Sequence, residues 1–217
     1  MSLADSTIAI IGTGNIGGRL AANFAAGGQH FLLAGRDQAA TQTLAASVGG
    51  HAEAVSVDEA VERADVLVIA VWLDSFKQLI AEYGERLAGK VIVDPTNPVG
   101  PDGQGGYHKV IGEQESSGQI LAGLLPPGAR LVKAFGTLSA PSLSAAARQE
   151  PDRAVLFYAA DDEAAGDLVA ELIRAAGFDP VRVGGLDQSI RIEMFGDLHE
   201  YGALGRVVTK SEALKAI

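Results

Sequence analysis

Short β-rich runs punctuate the chain, and stretches of helical periodicity separate most of them. Ile8–Ile11, Phe31–Ala34, Ala52–Val55, Val66–Ala70, Val91–Asp94, Arg130–Ala134, Ala154–Tyr158 and Val181–Val183 predict strands. Several are continuously apolar, "VLVIAV" and "VIVD" among them, as strands are when both faces are covered. Asn15–Gly27 carries apolar Ile16, Leu20 and Phe24 at helical spacing, and Asp37–Val48 opens on an acidic cap candidate. Asp58–Arg63, Ser75–Leu87 and Asp161–Ala176 complete the expected helices. In the last of these, Asp161, Asp162 and Glu163 suit a helix N-terminus on a solvated face. Such alternation predicts an α/β fold with a mainly parallel, doubly wound sheet.

The pattern changes at Leu186. "LDQSIRIEMFGDLHEYGALGRVVTK" reads as helix interrupted by glycine, with no further strand. The expected organisation is therefore a nucleotide-binding domain over 1–185 and a helical segment over 186–217 folded back on it. The Gly- and Pro-rich "NPVGPDGQGGYHKVIG" predicts a surface loop.

Composition narrows the partners. Of 217 residues, 47% are hydrophobic and 20% charged, enough for a substantial core. A formal net charge of −10 opposes phosphate backbones, so nucleic acid is not expected as a partner. There is no Cys, which excludes disulfides and thiolate chemistry. No secretory pattern and no membrane-length apolar run is visible, so the expected location is cytoplasmic, without membrane association.

"GTGNIG", Gly12 to Gly17, fits G-x-G-x-x-G between a buried-type strand and a helix, the context that gives this otherwise weak motif meaning. Gly12 allows the tight turn, Gly14 lets a diphosphate approach the backbone, and Gly17 lets helix and strand pack closely. The helix N-terminus supplies unpaired N–H groups and a positive dipole end, so even an acidic protein can hold a polyanion there. A Rossmann-type dinucleotide site is expected.

An NAD-binding domain places Asp or Glu about 20 residues further on, at the end of the second strand, to bind the ribose 2′-hydroxyl. Here "FLLAGRD" supplies Gly35 and then Arg36. A guanidinium can hydrogen-bond a 2′-phosphate and stack on adenine, so NADP(H) is expected, with Gly35 leaving room for the phosphate. Asp37 either caps the next helix or pairs with Arg36.

With these residues in view, the chain resembles the NADP oxidoreductases dependent on coenzyme F-420, a deazaflavin. It is also similar to the cytosolic reductase domains of the six-transmembrane metalloreductases. "IGTGNIG", "AGRD", "VLVIAVW", "DPTNP", "LVKAFGTL", "LFYAADDEAA" and "GFDPVRVGGLDQS" carry the likeness. The resemblance implies that Thr13, Asn15 and Ile16 line the diphosphate turn and that Arg36 holds the 2′-phosphate. It places Ala70, Val71 and Trp72 beside the nicotinamide and its ribose, and Asn97 and Pro98 on the same rim. Ala134, Phe135, Gly136 and Thr137 would shape the pocket facing the nicotinamide. The chain departs from the family pattern at Gly35 for Ser, Ala40 near a Lys position, Gly136 for Asn, and Ile190 beside Arg191 where an Arg is expected.

The implied reaction is hydride transfer between NADP(H) and a deazaflavin or flavin acting as a small-molecule acceptor. Such a transfer asks the protein to stack two rings and exclude water, so no catalytic side chain is assigned. Ketone reduction would require a proton donor. Lys133 either serves as one or packs its stem while its amine reaches a carboxylate. Trp72 either shields the nicotinamide or fills a core edge. His199 has Glu193, Asp197 and Glu200 nearby, but on one helix these would mostly face apart, and no metal is expected. Two other readings remain open. One is a keto- or imino-substrate reductase of pyrroline-carboxylate or hydroxyacid type, which needs a longer helical domain than 187–217 provides. The other is a non-catalytic NADP-sensing protein. Ile192, Met194, Phe195 and Leu198 must be buried somewhere, either against the chain itself or in a homodimer.

Overall fold

The computed structural model describes residues 2–217. Its framework is an eight-stranded sheet. In chain order the strands are β1 (Ile8–Ile11), β2 (Phe31–Ala34), β3 (Ala52–Val55), β4 (Val66–Ile69), β5 (Val91–Asp94), β8 (Arg130–Lys133), β9 (Val155–Ala160) and β10 (Asp179–Arg182). Their spatial order is β10-β9-β8-β5-β4-β1-β2-β3. Every pairing is parallel except β8 with β9, where Val132 faces Ala160 and Lys133 faces Ala159.

The sheet core divides by strand alternation, because successive side chains point to opposite faces. Ile8, Ile10, Phe31 and Leu33 pack on one side with α1 (Asn15–Ala26), α6 (Ala140–Ala145) and α7 (Glu163–Ala175). Ala9, Ile11, Leu32 and Ala34 pack on the other with α3 (Val57–Arg63), α4 (Leu73–Tyr83) and α5 (Ser117–Leu124). Each fully buried Leu or Ile contributes about 1.5–3 kcal/mol relative to exposure. α2 (Gln38–Ser47) starts where Asp37 Oδ1 accepts the Ala40 N–H at 3.0 Å, and α7 where Asp162 Oδ1 accepts that of Ala165 at 2.7 Å.

Five stretches differ from the sequence expectation. The helix expected over Ser75–Leu87 starts at Leu73 and ends at Tyr83, because Gly84 turns the backbone to φ 43° before a short 3-10 turn. The loop after Asn97 contains a hairpin of β6 (Val99–Pro101) and β7 (Tyr107–Lys109). Two helices, α5 and α6, lie where none was expected. α5 is the crossover required between parallel β5 and β8, and its "SGQILAGL" is too short and Gly-broken to show a period. Finally, the segment after Leu186 has only two short helices, α8 (Ser189–Ile192) and α9 (Lys210–Ala213), joined by turns. Gly202 sits so close to Gly196 that an added Cβ would lie 1.7 Å from the Gly196 carbonyl oxygen.

That segment is nevertheless docked tightly. Ile192, Leu198 and Val208 are buried with Val155, Phe157 and Val181, so most of its apolar residues are covered within the chain, while Phe195 remains half exposed. No helix among the described residues is long and apolar enough to cross a membrane.

Candidate active site

The chain leaves β1 toward β2 and β3, then returns to the other side of β1 as β4 and β5. The turns after β1 and β4 therefore separate at one point on the carboxyl edge, the crevice where open α/β sheets bind ligands. Gly12 N–H donates to Ala34 O at 2.8 Å and Ala70 N–H to Ile11 O at 2.8 Å, which fixes both turns to the strand ends.

The three motif glycines have different reasons for being small. Gly12 has φ 114°, and a Cβ there would lie 2.3 Å from Ala70 O. A Cβ on Gly17 would lie 1.8 Å from Gly12 O, so helix and turn touch backbone to backbone. At Gly14 a Cβ would meet nothing within 4 Å. The protein's own packing thus demands glycine at 12 and 17 but not at 14, where the backbone faces open space. Gly14 is the N-cap of the 12-residue α1 and supplies no side-chain cap, so the first amides keep their hydrogen-bonding capacity toward an anion. Thr13 and Ile16 are half-buried beside the turn, and Asn15 is exposed. Arg19, one turn along α1, donates to Asn15 O at 2.8 Å and brings a cation to the same end. It escaped the motif reading; its i,i+4 spacing from Asn15 is the signal that points to it.

Arg36 is exposed and has no ion pair among the described residues. Asp37 is taken up by capping α2, which settles its role. Gly35 also answers to packing within the chain. A Cβ there would lie 2.9 Å from Thr41 Oγ1 and 3.1 Å from Thr13 Cγ2, so its small size admits these two side chains.

Across the crevice, Ala70 and Val71 are half-buried and Trp72 is 59% exposed, which removes the core-filling reading of Trp72. Asn97 binds the rim together: its Nδ2 donates to Gly136 O at 3.0 Å and its Oδ1 accepts the Met194 N–H at 2.6 Å. The ends of β5 and β8 and the C-terminal segment thus meet at one side chain. Pro98 is buried, and Ala134 and Phe135 lie beneath the rim at 1% and 0% exposure, Phe135 with φ 65°.

Under this rim lies a charged cluster sealed from solvent. Lys133 Nζ is 2.8 Å from Asp94 Oδ2, 2.7 Å from Ser117 Oγ and 3.5 Å from Glu193 Oε1, and it also donates to Thr96 O. Lys133 therefore packs its stem and pairs its amine, the second of its two expected roles. Asp94, Ser117 and Glu193 are far apart in sequence, and Glu193 was weighed there only beside His199; only the fold gathers them around Lys133.

His199 is buried, and its Nδ1 accepts the Tyr201 N–H at 2.9 Å. Burial pushes its pKa down to about 4, against the opposing pull of Glu200 and the Gly136 backbone. Its acidic neighbours go elsewhere: Asp197 pairs with Arg191 at 2.9 Å, and Glu200 accepts from Ser139 N–H and Ser142 Oγ. No group of His and carboxylates among the described residues converges as a metal site.

A doubly wound sheet with an open glycine turn at its switch point and a free arginine beyond β2 defines a dinucleotide-binding protein of Rossmann type. The chain belongs to the family described as NADP oxidoreductase coenzyme F420-dependent, whose model matches residues 7–98, and so to the NADP-dependent oxidoreductases. It is 30% identical over 199 residues to the F420-dependent NADP reductase of Methanothermobacter thermautotrophicus, covering 86% of this chain and 84% of that protein. It is also 30% identical over 186 residues to Metalloreductase STEAP3 of Rattus norvegicus, again over 86% of this chain, but it spans only 35% of that protein's length. Among solved structures, a hypothetical protein from Sinorhizobium meliloti superposes with a TM-score of 0.82 at 30% identity, covering 95% of this chain and 97% of that one.

Proposed function

We propose that this oxidoreductase transfers hydride between NADP(H) and a planar deazaflavin or flavin-like acceptor. The observation that carries the reading is the pairing of an open Gly14 backbone at the α1 N-terminus with an unpaired Arg36 at the next strand end. The residues fit the cofactor: an N–H cradle for a diphosphate, a guanidinium for a 2′-phosphate, and half-buried Ala70 and Val71 for a ring edge. When bound, NADP(H) supplies the hydride-carrying nicotinamide.

The chain's own residues bind, orient and dry the site. The α1 amides and Arg19 hold negative charge. Asn97 fixes the β5 and β8 ends to Met194, so the C-terminal segment forms a wall on the acceptor side. Trp72 stands exposed at the β4 end, available to cover a ring. Lys133, Asp94 and Glu193 engage one another, and His199 is neutral near pH 7. This set suits positioning of two rings rather than protonation of a carbonyl. The name of the Methanothermobacter relative supports a deazaflavin acceptor.

Titration with NADPH and NADH, followed by anaerobic NADPH oxidation with 5-deazaflavin, FMN, FAD, ferric chelates and quinones, tests the proposal. Tighter binding of NADPH and turnover with an isoalloxazine-type ring are expected. Equal affinity for both nucleotides removes the role of Arg36. Binding without turnover by any acceptor favours a sensing protein.

A further inference from the structure

Seven phenylalanines occur in the chain, and all but Phe195 are buried at 4% exposure or less. Phe195 is 50% exposed, and its backbone is also out of the ordinary, with φ 74°. It occupies the third position of a turn closed by the Gly196 N–H, which donates to Glu193 O at 2.8 Å. A positive φ at that position is the place of Gly or Asn, because a larger side chain crowds the backbone. A bulky aromatic in the left-handed region persists only where its surroundings fix it, and residues held in this way gather at ligand sites.

The groups that fix it are identifiable. On one side, Met194 N–H donates to Asn97 Oδ1 at 2.6 Å. On the other, Gly196 is wedged in place: a Cβ there would lie 2.3 Å from Ile190 O and 2.4 Å from Arg191 O. Leu198 N–H then donates to Arg191 O at 2.8 Å. The turn cannot relax without breaking these contacts, so the exposure of the ring is built into the fold.

A cleft of about 200 Å³ opens between the β6–β7 hairpin and the C-terminal segment, lined by Lys109, Ile190, Met194 and Phe195 among others. Lys109 Nζ donates to Glu113 O and Glu115 O, both at 2.7 Å, which holds the hairpin side in place. The Glu193 carboxyl is drawn into the sealed cluster beneath, so Ile190, Met194 and Phe195 leave their wall apolar. Because Asn97 holds Met194, the cleft continues from the rim of the proposed nicotinamide site.

We infer that Phe195 is the stacking contact of the acceptor subsite, its ring packed against the planar heteroaromatic ring of the acceptor in this cleft. The inference rests on the proposed function and deepens it. A rigid, pre-positioned aromatic beside a hydride donor suits a flat acceptor, and the Met194 thioether adapts to the same ring.

Nuclear magnetic resonance of the full chain with ring-labelled phenylalanine tests this without any variant. Spectra are compared at saturating NADP⁺ with and without 5-deazariboflavin or FMN. The solvent-exposed phenylalanine, identified by its response to a soluble paramagnetic agent, should shift and show cross-relaxation with the protons of the added ring. In parallel, Phe195→Asn, which suits the left-handed backbone, should weaken binding of the tighter of the two rings about tenfold or more. Phe195→Tyr should hold it within about threefold, and both variants should keep NADPH affinity, the check on folding. An exposed phenylalanine with no contact to the added ring overturns the inference and leaves the proposed function standing. So does a Phe195→Asn chain that binds the ring as tightly as the unmodified one. A dimer that dissociates in Phe195→Asn while ring binding is unchanged gives this face to a second copy and likewise overturns it. If Phe195→Asn fails to fold, the labelled spectra stay decisive. Failure of 5-deazariboflavin and FMN alike to bind or to oxidise NADPH overturns both readings.

Discussion

The Lys133 ammonium lies 2.8 Å from the Asp94 carboxylate, with side-chain exposures of 1% and 0%. Removing one member of a buried ion pair strands the other, and the typical cost is about 3–5 kcal/mol. Lys133→Met should therefore destabilise the chain by about that amount in urea unfolding. Adding Asp94→Asn and Glu193→Gln to Lys133→Met should recover part of the loss, because fewer unpaired charges stay buried. A triple variant no more stable than the single one would show that packing, not charge, dominates there.

The glycine turn separates folding from binding. Gly17→Ala drives a methyl into the Gly12 carbonyl and should cost about 3 kcal/mol or more, read as a large fall in Tm. Gly14→Ala meets no protein atom, so Tm should change little. Its methyl instead occupies the approach to the α1 amides, and NADPH affinity should fall about tenfold or more. A Gly14→Ala chain that binds NADPH normally would move the diphosphate elsewhere.

Arg36 should distinguish the two nucleotides. Arg36→Ala should weaken NADPH binding about 10- to 100-fold by calorimetry while leaving NADH within about threefold, since charge-assisted hydrogen bonds to the 2′-phosphate are lost only with the former. Equal weakening of both would indicate adenine stacking alone.

His199 ties stability to pH. Its folded pKa of about 4 lies below the ordinary 6.5, so the unfolded chain takes up the proton first. Its contribution is intact above pH 6.5 and is lost as pH falls toward 4, amounting to about 3 kcal/mol. His199→Asn keeps an acceptor for the Tyr201 N–H and should flatten the difference in Tm between pH 7 and pH 5. A slope unchanged by this variant would place the acid sensitivity elsewhere.

The sheet was legible because strands covered on both faces must be apolar along their whole length: "VLVIAV" and "VIVD" cannot read otherwise. Asp37 and Asp162 likewise announced the helices they cap, since capping is local. α5 and α6 stayed hidden because eight and six residues do not establish a period. Gly35 shows the limit for a site residue. Its place after β2 was evident, but the Thr13 and Thr41 side chains that require its small size come together only in the fold.

The sequence by itself determined the α/β alternation, the glycine turn at the start of α1, and the guanidinium in place of a carboxylate after β2, all consequences of local spacing. Tertiary structure alone decided that Asp94, Ser117, Lys133 and Glu193 share one sealed cluster, and that Asn97 joins Gly136 to Met194. Those contacts span tens of residues, and hydrogen bonds at such separations depend on how elements cross rather than on the order of residues along the chain.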